Sequence, residues 1–464
     1  MTAASPEHTA TATAAAEAGG YPSSRRAWIM VAILMVAYVI SFIDRQILNL
    51  LVAPVRRDLQ ISDTQMSYLL GLSFALFYTV CGIPIGRLAD VRSRRGVIAS
   101  GLVFWSLMTA GCGMARSYLS FLLFRVGVGV GEATLSPSAY SLIADSFPQR
   151  MRATAISLYS SGIYIGSGLA FLLGGLIVGF ASAQGDLVLP LLRPVRPWQL
   201  VFLLLGVIGL VFSLVILAIR EPLRHGVGAG VEVPLHDAMN WFRANRRTLL
   251  HHHVGVGMVS FAAYGGAAWV PTFLIRNHGW DVPSVGIVYG GITALFGSAG
   301  IVFGGRLADR LLKAGFVDAG MRVCLIGALL ALPCCLLGPL MASSDLAVLW
   351  LMPTVFGLAM PFGVAPAAIQ DIMPNALRSQ ASALYLFVVN LIGLGLGPTA
   401  VALCTDYLFG DDLAVRYSLA LALPTALAVA SLLLATGLPH YRASVERLKT
   451  WRPSAAPPSS LPAP

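Results

Sequence analysis

Two apolar runs of this chain carry charges that hydrocarbon does not tolerate. The first reads Tyr38-Val-Ile-Ser-Phe-Ile-Asp44-Arg45-Gln46, and the second reads Leu122-Leu-Phe-Arg125-Val-Gly-Val-Gly-Val-Gly-Glu132. A carboxylate or guanidinium in mid-span costs roughly 3 kcal/mol or more unless it faces protein or water. The chain is therefore expected to enclose a polar cavity at membrane depth. Asp44 and Glu132 are the candidate proton carriers. Burial raises a carboxyl pKa and a neighbouring arginine lowers it, so a group under both influences can change protonation as its surroundings open and close. Arg45 and Arg125 would hold these carboxylates, or an anionic headgroup, through a two-donor fork.

Spacing places the groups on faces. Tyr38, Ser41, Arg45 and Asn49 fall at offsets 0, 3, 7 and 11, and Arg125, Gly129, Glu132 and Ser136 at 0, 4, 7 and 11. Each set makes one stripe on a helix, and both stripes are expected to line the cavity, with Tyr38 and Asn49 as substrate contacts. Asp44 stands about 100° round the helix from Arg45 and is free to point at a neighbouring helix. The competing reading is a permanent ion-pair network that only ties two helices together. Its weakness is that a buried pair is often no better than a hydrophobic replacement.

The elements that position these groups are membrane helices. Of 464 residues, 57% are hydrophobic and only 11% charged, against about 25% charged in a soluble domain. Twelve runs approach the roughly 20 residues needed to cross a bilayer. They lie near 27–51, 66–89, 96–115, 118–144, 152–181, 198–219, 249–275, 284–308, 321–341, 345–370, 379–407 and 413–437. The expected organisation is an all-α membrane protein of two pseudo-symmetric six-helix halves. A disordered tail (1–24) precedes the first bundle (25–219). A linker (220–248), with an amphipathic helix marked by Leu235, Met239 and Phe242, leads to the second bundle (249–440) and a C-terminal tail (441–464). The net charge of +10 does not signal nucleic acid, because most basic residues sit in short connections. Arg87, Arg92, Arg94 and Arg95 form one such cluster. Their bias puts both termini in the cytosol.

The halves repeat one another. Gly86-Arg-Leu-Ala-Asp90 recurs as Gly305-Arg-Leu-Ala-Asp309, and Asp145-Ser-Phe-Pro148 opens a stretch that recurs from Asp371-Ile-Met-Pro374. Duplication of six helices is the architecture of an alternating-access carrier.

On these motifs the chain resembles the major facilitator superfamily, over residues 25–440. Gly86-Arg-Leu-Ala-Asp90-Val-Arg92-Ser-Arg94-Arg95 matches its loop motif, and Arg125-x-x-x-Gly129-x-Gly131 its fourth-span motif. Phe42-Ile-Asp44-Arg45, Gly131-Glu132-Ala133 and Gln370-Asp-Ile-Met-Pro374 are most similar to spinster-type lipid transporters. Sugar-acid symporters carry a similar Asp-Arg and Glu. Spinster-type proteins have a histidine and an aspartate in span 11, where this chain reads Asn390-Leu-Ile-Gly-Leu-Gly395. The resemblance implies a proton-coupled carrier of lysophospholipid or sphingoid-phosphate substrates, and the departure leaves the exact substrate open. It also implies an inner gate. Asp90, at the end of the motif that Gly86 opens, would meet a helix N-terminus across the half-interface, where backbone N–H groups favour an anion. Arg94 would latch that side, and Gly305 and Asp309 would form a degenerate second copy.

Tyr264, Trp269 and Asn390 are the second half's candidate substrate contacts, although aromatic residues in spans more often serve packing. His251-His252-His253 is expected at the membrane interface, since adjacent histidines do not converge on one metal ion. The six cysteines show neither disulfide nor metal spacing. No metal, cofactor or enzymatic activity is expected. No P-loop is present to use ATP. The expected partners are a lipid-like solute, protons and membrane lipids, and the expected state is a monomer in a bacterial inner membrane. The alternatives are a multidrug exporter or organic-anion symporter of the same superfamily and, from another class, a lipid-modifying membrane enzyme.

Overall fold

A computed structural model of the chain describes residues 22–147, 149–184, 195–222, 235–374 and 377–451. Twelve helices are long and apolar enough to cross a membrane. In chain order they are α1 Ser24–Leu50, α2 Asp63–Gly82, α3 Arg94–Met114, α4 Tyr118–Ser146, α5 Leu158–Phe180 and α6 Pro197–Leu217, followed by α7 Arg246–His278, α8 Val282–Lys313, α9 Ala319–Leu340, α10 Ser344–Asp371, α11 Gln380–Phe409 and α12 Asp412–Thr450. No strand occurs among the described residues. The all-α, twelve-span architecture thus follows from hydropathy. The expected tail up to residue 21 and the stretch from 452 onward lie outside the described residues.

One boundary moves. The expected C-terminal tail begins at 441, yet the last helix runs unbroken from Val415 to Thr450. Its extension is held by burial, with Tyr441 1% exposed and donating its hydroxyl to the Ala368 carbonyl at 2.8 Å. The linker contains a helix, Leu235–Ala244, whose inward face is Ala238 and Trp241 rather than Met239, which is 43% exposed.

The chain divides into two compact units. The first comprises 1–228 with 281–294, and the second 229–280 with 295–464. The front of α8 therefore clusters with the first unit, although the sequence repeat assigns it to the second half. Glycine is the reason. Gly286 lies so close to the Phe171 carbonyl and to Gly175 of α5 that a Cβ there would collide with backbone. Small residues let helices approach in this way without side-chain interdigitation.

Several helices have local start and stop signals. Ser62 and Gln65 form a reciprocal capping box at α2, Ser93 accepts from the Gly96 N–H at α3, and Asp281 accepts from the Ser284 N–H at α8. These satisfy N–H groups that a helix start leaves without intrahelical partners. Gly279 ends α7 in the left-handed region, at φ 68°, where glycine pays no steric penalty.

The outer surfaces are apolar. Leu119, Leu123, Val207, Val211, Leu214 and Leu432 are exposed, as lipid-facing side chains should be. Packing inside the first unit joins α1, α3, α4 and α5 through Leu34, Tyr38, Trp105, Leu142 and Tyr159. Gly131 makes part of this possible, because a Cβ there would sit 2.6 Å from that of Trp105.

Candidate functional site

The four mid-span charges form two ion pairs, and the pairs cross between helices. Glu132 of α4 receives Arg45 of α1, with Nε 2.6 Å from Oε2, and Ser41 Oγ donates to the same oxygen at 2.5 Å. Arg125 of α4 reaches back to Asp44 of α1, its Nη1 3.4 Å from both the carboxylate Oδ1 and the backbone carbonyl. Thr109 of α3 donates to the other Asp44 oxygen, and Arg125 Nε donates to the Leu69 carbonyl of α2 at 3.3 Å.

The sequence leaves open which arginine holds which carboxylate, and the geometry pairs each across helices. Asp44 and Arg45 point about 100° apart, while Arg125 and Glu132 stand seven residues, about 10 Å, apart along the axis. Contact is possible only with the neighbouring helix. The cavity-lining expectation for both stripes needs correction. Arg125 is 0% exposed and Glu132 1% exposed, covered by protein. Only the Arg45 side chain, 11% exposed, keeps an outlet.

Arg45 is also boxed by aromatic rings. Its guanidinium carbon lies 4.8 Å from the Phe42 centroid, 4.6 Å from Phe74 and 4.8 Å from Tyr78. Such contacts attract a cation through the ring quadrupole. Two polar atoms in this cluster are buried without a hydrogen-bond partner among the described residues, Glu132 Oε1 and Arg125 Nη2. A buried unmade hydrogen bond costs about 1–3 kcal/mol, more for a charged group. The cluster thus holds one open acceptor and one open donor.

The other expected contacts separate. Tyr38 is buried and stacks on Tyr159 at 4.5 Å, as packing. Asn49 lies in a 3₁₀ turn, Leu48–Leu50, and donates to Gln46 Oε1 at 2.6 Å, so it does not extend the α1 stripe. Ser136 follows a break in α4 after Glu132 and meets the Tyr159 hydroxyl at 3.3 Å. In the second unit, Trp269 is 0% exposed and its indole N–H is taken by the Pro398 carbonyl at 2.8 Å, a packing position. Tyr264 is half-buried, edge-on to Phe362, and Asn390 is half-buried at the end of a regular helical stretch.

The loop motif gives a different clasp from the one expected. Gly86 and Asp90 lie on the helix Ser73–Val91, but their side chains are outside the described residues. Gly305 is half-buried and Asp309 exposed on α8. Arg94, expected to latch across the halves, is 1% exposed and spends its donors inside the first unit. It pairs with Asp145 at the end of α4 and with Glu221 beyond α6 at 2.9 Å, and donates to Ser141 Oγ and the Pro222 carbonyl. Ser93 Oγ and the Arg94 N–H also donate to Glu221. Burial opposes the charged form of Glu221, but the hydrogen bonds from Ser93 and Arg94 outweigh it and hold this carboxyl below its ordinary range. Sequence spacing gave no signal for Glu221, Thr109, Phe74 or Tyr78. Asp145 was visible only as the head of the internal repeat.

Residues 34–398 match the model of the Major Facilitator Superfamily, and this chain belongs to it. The chain is 30% identical over 392 residues to an MFS-type efflux pump of Mycolicibacterium smegmatis, covering 83% of this chain and 86% of that one. It is 26% identical over 429 residues to a D-galactonate transporter of Escherichia coli, covering 87% and 94%. The structure is similar to that of a bacterial homolog of the human lysosomal transporter spinster, crystallised inward-facing and unoccupied. The TM-score is 0.75, with 26% identity over 93% of this chain and 100% of the other. The protein is a multi-pass transporter of this superfamily, similar to the spinster type.

Proposed function

We propose that this carrier is a proton-coupled secondary transporter of an amphipathic, anionic solute, with lysophospholipid or sphingoid phosphate as the substrate class. The observation that carries the reading is the crossed pair of buried salt bridges with Glu132 Oε1 and Arg125 Nη2 left open. Protonation of Glu132 removes the charge that holds Arg45. The released guanidinium, already among Phe42, Phe74 and Tyr78, can take an anionic headgroup while the rings favour the apolar part beside it. Loss of the proton restores the salt bridge and competes the headgroup away. Asp44 and Arg125 form the second pair, tied to α3 through Thr109. The bias of basic residues toward the connections supports a cytosolic position for both termini, and the reading puts the carrier in a bacterial inner membrane as a monomer.

The experiment is proton flux beside solute flux in reconstituted vesicles. Glu132→Gln should abolish gradient-driven transport and retain solute binding. Asp44→Asn should do the same if the two carboxyls titrate as a unit. Normal gradient-driven flux in both variants and in the double variant defeats proton coupling through this site.

A second reading has a specific motive. The D-galactonate transporter of Escherichia coli aligns over 87% of this chain. A sugar acid also offers Arg45 a carboxylate, without an acyl chain. A panel of lysophosphatidate, sphingosine phosphate and hexonates separates the two, because the lipid reading requires preference to grow with apolar length.

A further inference from the structure

The second unit buries two adjacent histidines that the site above does not use. His252 is 0% and His253 3% exposed, both on α7. The helix begins at Arg246, which draws these residues inside the bundle, where α10 and α11 cover them.

Their hydrogen bonds fix where the protons sit. His252 Nε2 lies 3.1 Å from the Ala365 carbonyl. A carbonyl only accepts, so this nitrogen carries hydrogen. In a neutral His252, Nδ1 is then bare. It lies 3.2 Å from His253 Nδ1, so the hydrogen between the rings belongs to His253. The remaining nitrogen, His253 Nε2, is left with a lone pair. It is buried and has no hydrogen-bond partner among the described residues. The neutral pair thus has a single open position, and it is a base.

We propose that His252 and His253 form a proton-binding site of the second unit, with His253 Nε2 as the entry atom. A hydronium gives its proton to that lone pair, so that one O–H bond breaks, one N–H bond forms and water leaves. The charge then has a route. The His253 Nδ1 hydrogen can pass to His252 Nδ1, leaving an imidazolium whose Nε2–H already donates to Ala365. No existing hydrogen bond is lost in either state. This site is separate from Glu132 and does not rest on that residue's role.

The titratable groups packed around the pair come from α9, α10, α11, α12 and the linker helix. From α11 the Tyr385 ring lies 5.5 Å from His252 and 5.8 Å from His253. The buried Cys324 of α9 stands near Tyr385. Tyr441 of α12 is occupied by the Ala368 carbonyl, and His440 of α12 faces His251 at 5.2 Å. Asp371, at the end of α10, is exposed. Arg246 and Arg247 head α7, Arg447 of α12 donates to Ala244 and Asn245, and the linker helix adds the exposed His236 paired with the half-buried Asp237. Among the described residues, neither ring forms a salt bridge with a carboxylate.

The test uses the full chain in lipid nanodiscs with ¹⁵N-histidine, assigned with His252→Gln and His253→Gln. At neutral pH the expected spectrum shows a protonated His252 Nε2, a bare His253 Nε2 and a scalar coupling between the two Nδ1 nuclei. As pH falls from about 8 to about 4, a window spanning imidazole titration, the bare nitrogen should gain its proton. A His253 Nε2 already protonated in the neutral form, or bare across the whole window, overturns the proposal. The second readout is proton uptake by the purified protein over the same window. His253→Gln should take up one proton fewer per chain than the parent, and the same difference should persist in a Glu132→Gln background. Equal uptake overturns the proposal, whether or not Glu132 couples transport.

Discussion

The two units solve the same architectural problem with different chemistry. Inside the spans of the first, four full charges meet as two crossed salt bridges. Inside the spans of the second, no carboxylate is buried among the described residues, and the central polar groups are His252, His253 and the Trp269 indole. Duplication kept the loop motif Gly-Arg-Leu-Ala-Asp in both halves while the cores diverged. A scaffold can be copied whole because it rests on spacing and small residues. A charge cluster needs every partner present at once, since a lone buried charge is heavily penalised.

The largest effect that would break this comparison is on stability. Arg125→Ala leaves Asp44 buried without its cation, and such a loss costs about 3–5 kcal/mol. Unfolding midpoints in detergent should fall sharply, and Asp44→Asn in the same chain should restore part of the loss. A midpoint unchanged by Arg125→Ala would make the first core as tolerant of neutralisation as the second.

Binding comes next. Arg45→Ala should weaken an anionic ligand more than its neutral analogue, by roughly 1.5–3 kcal/mol, the range for a hydrogen bond to a charged group. Isothermal titration with a matched pair of ligands measures the difference. Equal losses would leave Arg45 a structural tie between α1 and α4.

The smallest effect concerns the clasps at the ends of the helices, which have inverted polarity. In the first unit Arg94 gathers Asp145 and Glu221, and in the second Asp318 gathers Arg322 and Arg442. Burial opposes ionisation of Asp318 too, but hydrogen bonds from Arg322 and Arg442 hold its carboxyl low. A carboxyl depressed in the folded state adds stability above its unfolded pKa, about 4. That stability is lost as pH falls through the folded value. Melting temperature should therefore hold near neutrality and decline only below the ordinary carboxylate range. Glu221→Gln and Asp318→Asn should each flatten part of that acid limb.

Much of this was legible in the sequence. A charge in an apolar run announces itself, so Asp44, Arg45, Arg125 and Glu132 could be read directly, as could the twelve spans. Their pairing could not, because a helical wheel gives direction within one helix and nothing about the neighbour's rotation. Phe74, Tyr78 and Thr109 were hidden for another reason: in an apolar helix they look like any packing residue. The burial of His252 and His253 was not legible either, because α7 starts earlier than its apolar run and neighbouring helices then cover them.

The winding of α2 sets the orientation of the aromatic box. Tyr68–Leu72 is a π-wound turn, and Phe74 and Tyr78 follow it. A π-bulge amounts to one extra residue inserted into an α-helix. Rewinding the same residues as regular α-helix, with none removed, would barely change the helix length, yet it would turn everything beyond by about 100°. Phe74 and Tyr78 would swing off the guanidinium of Arg45 while the span still crossed the bilayer. In this segment the winding acts as a torsional control, and one wide turn encodes azimuth.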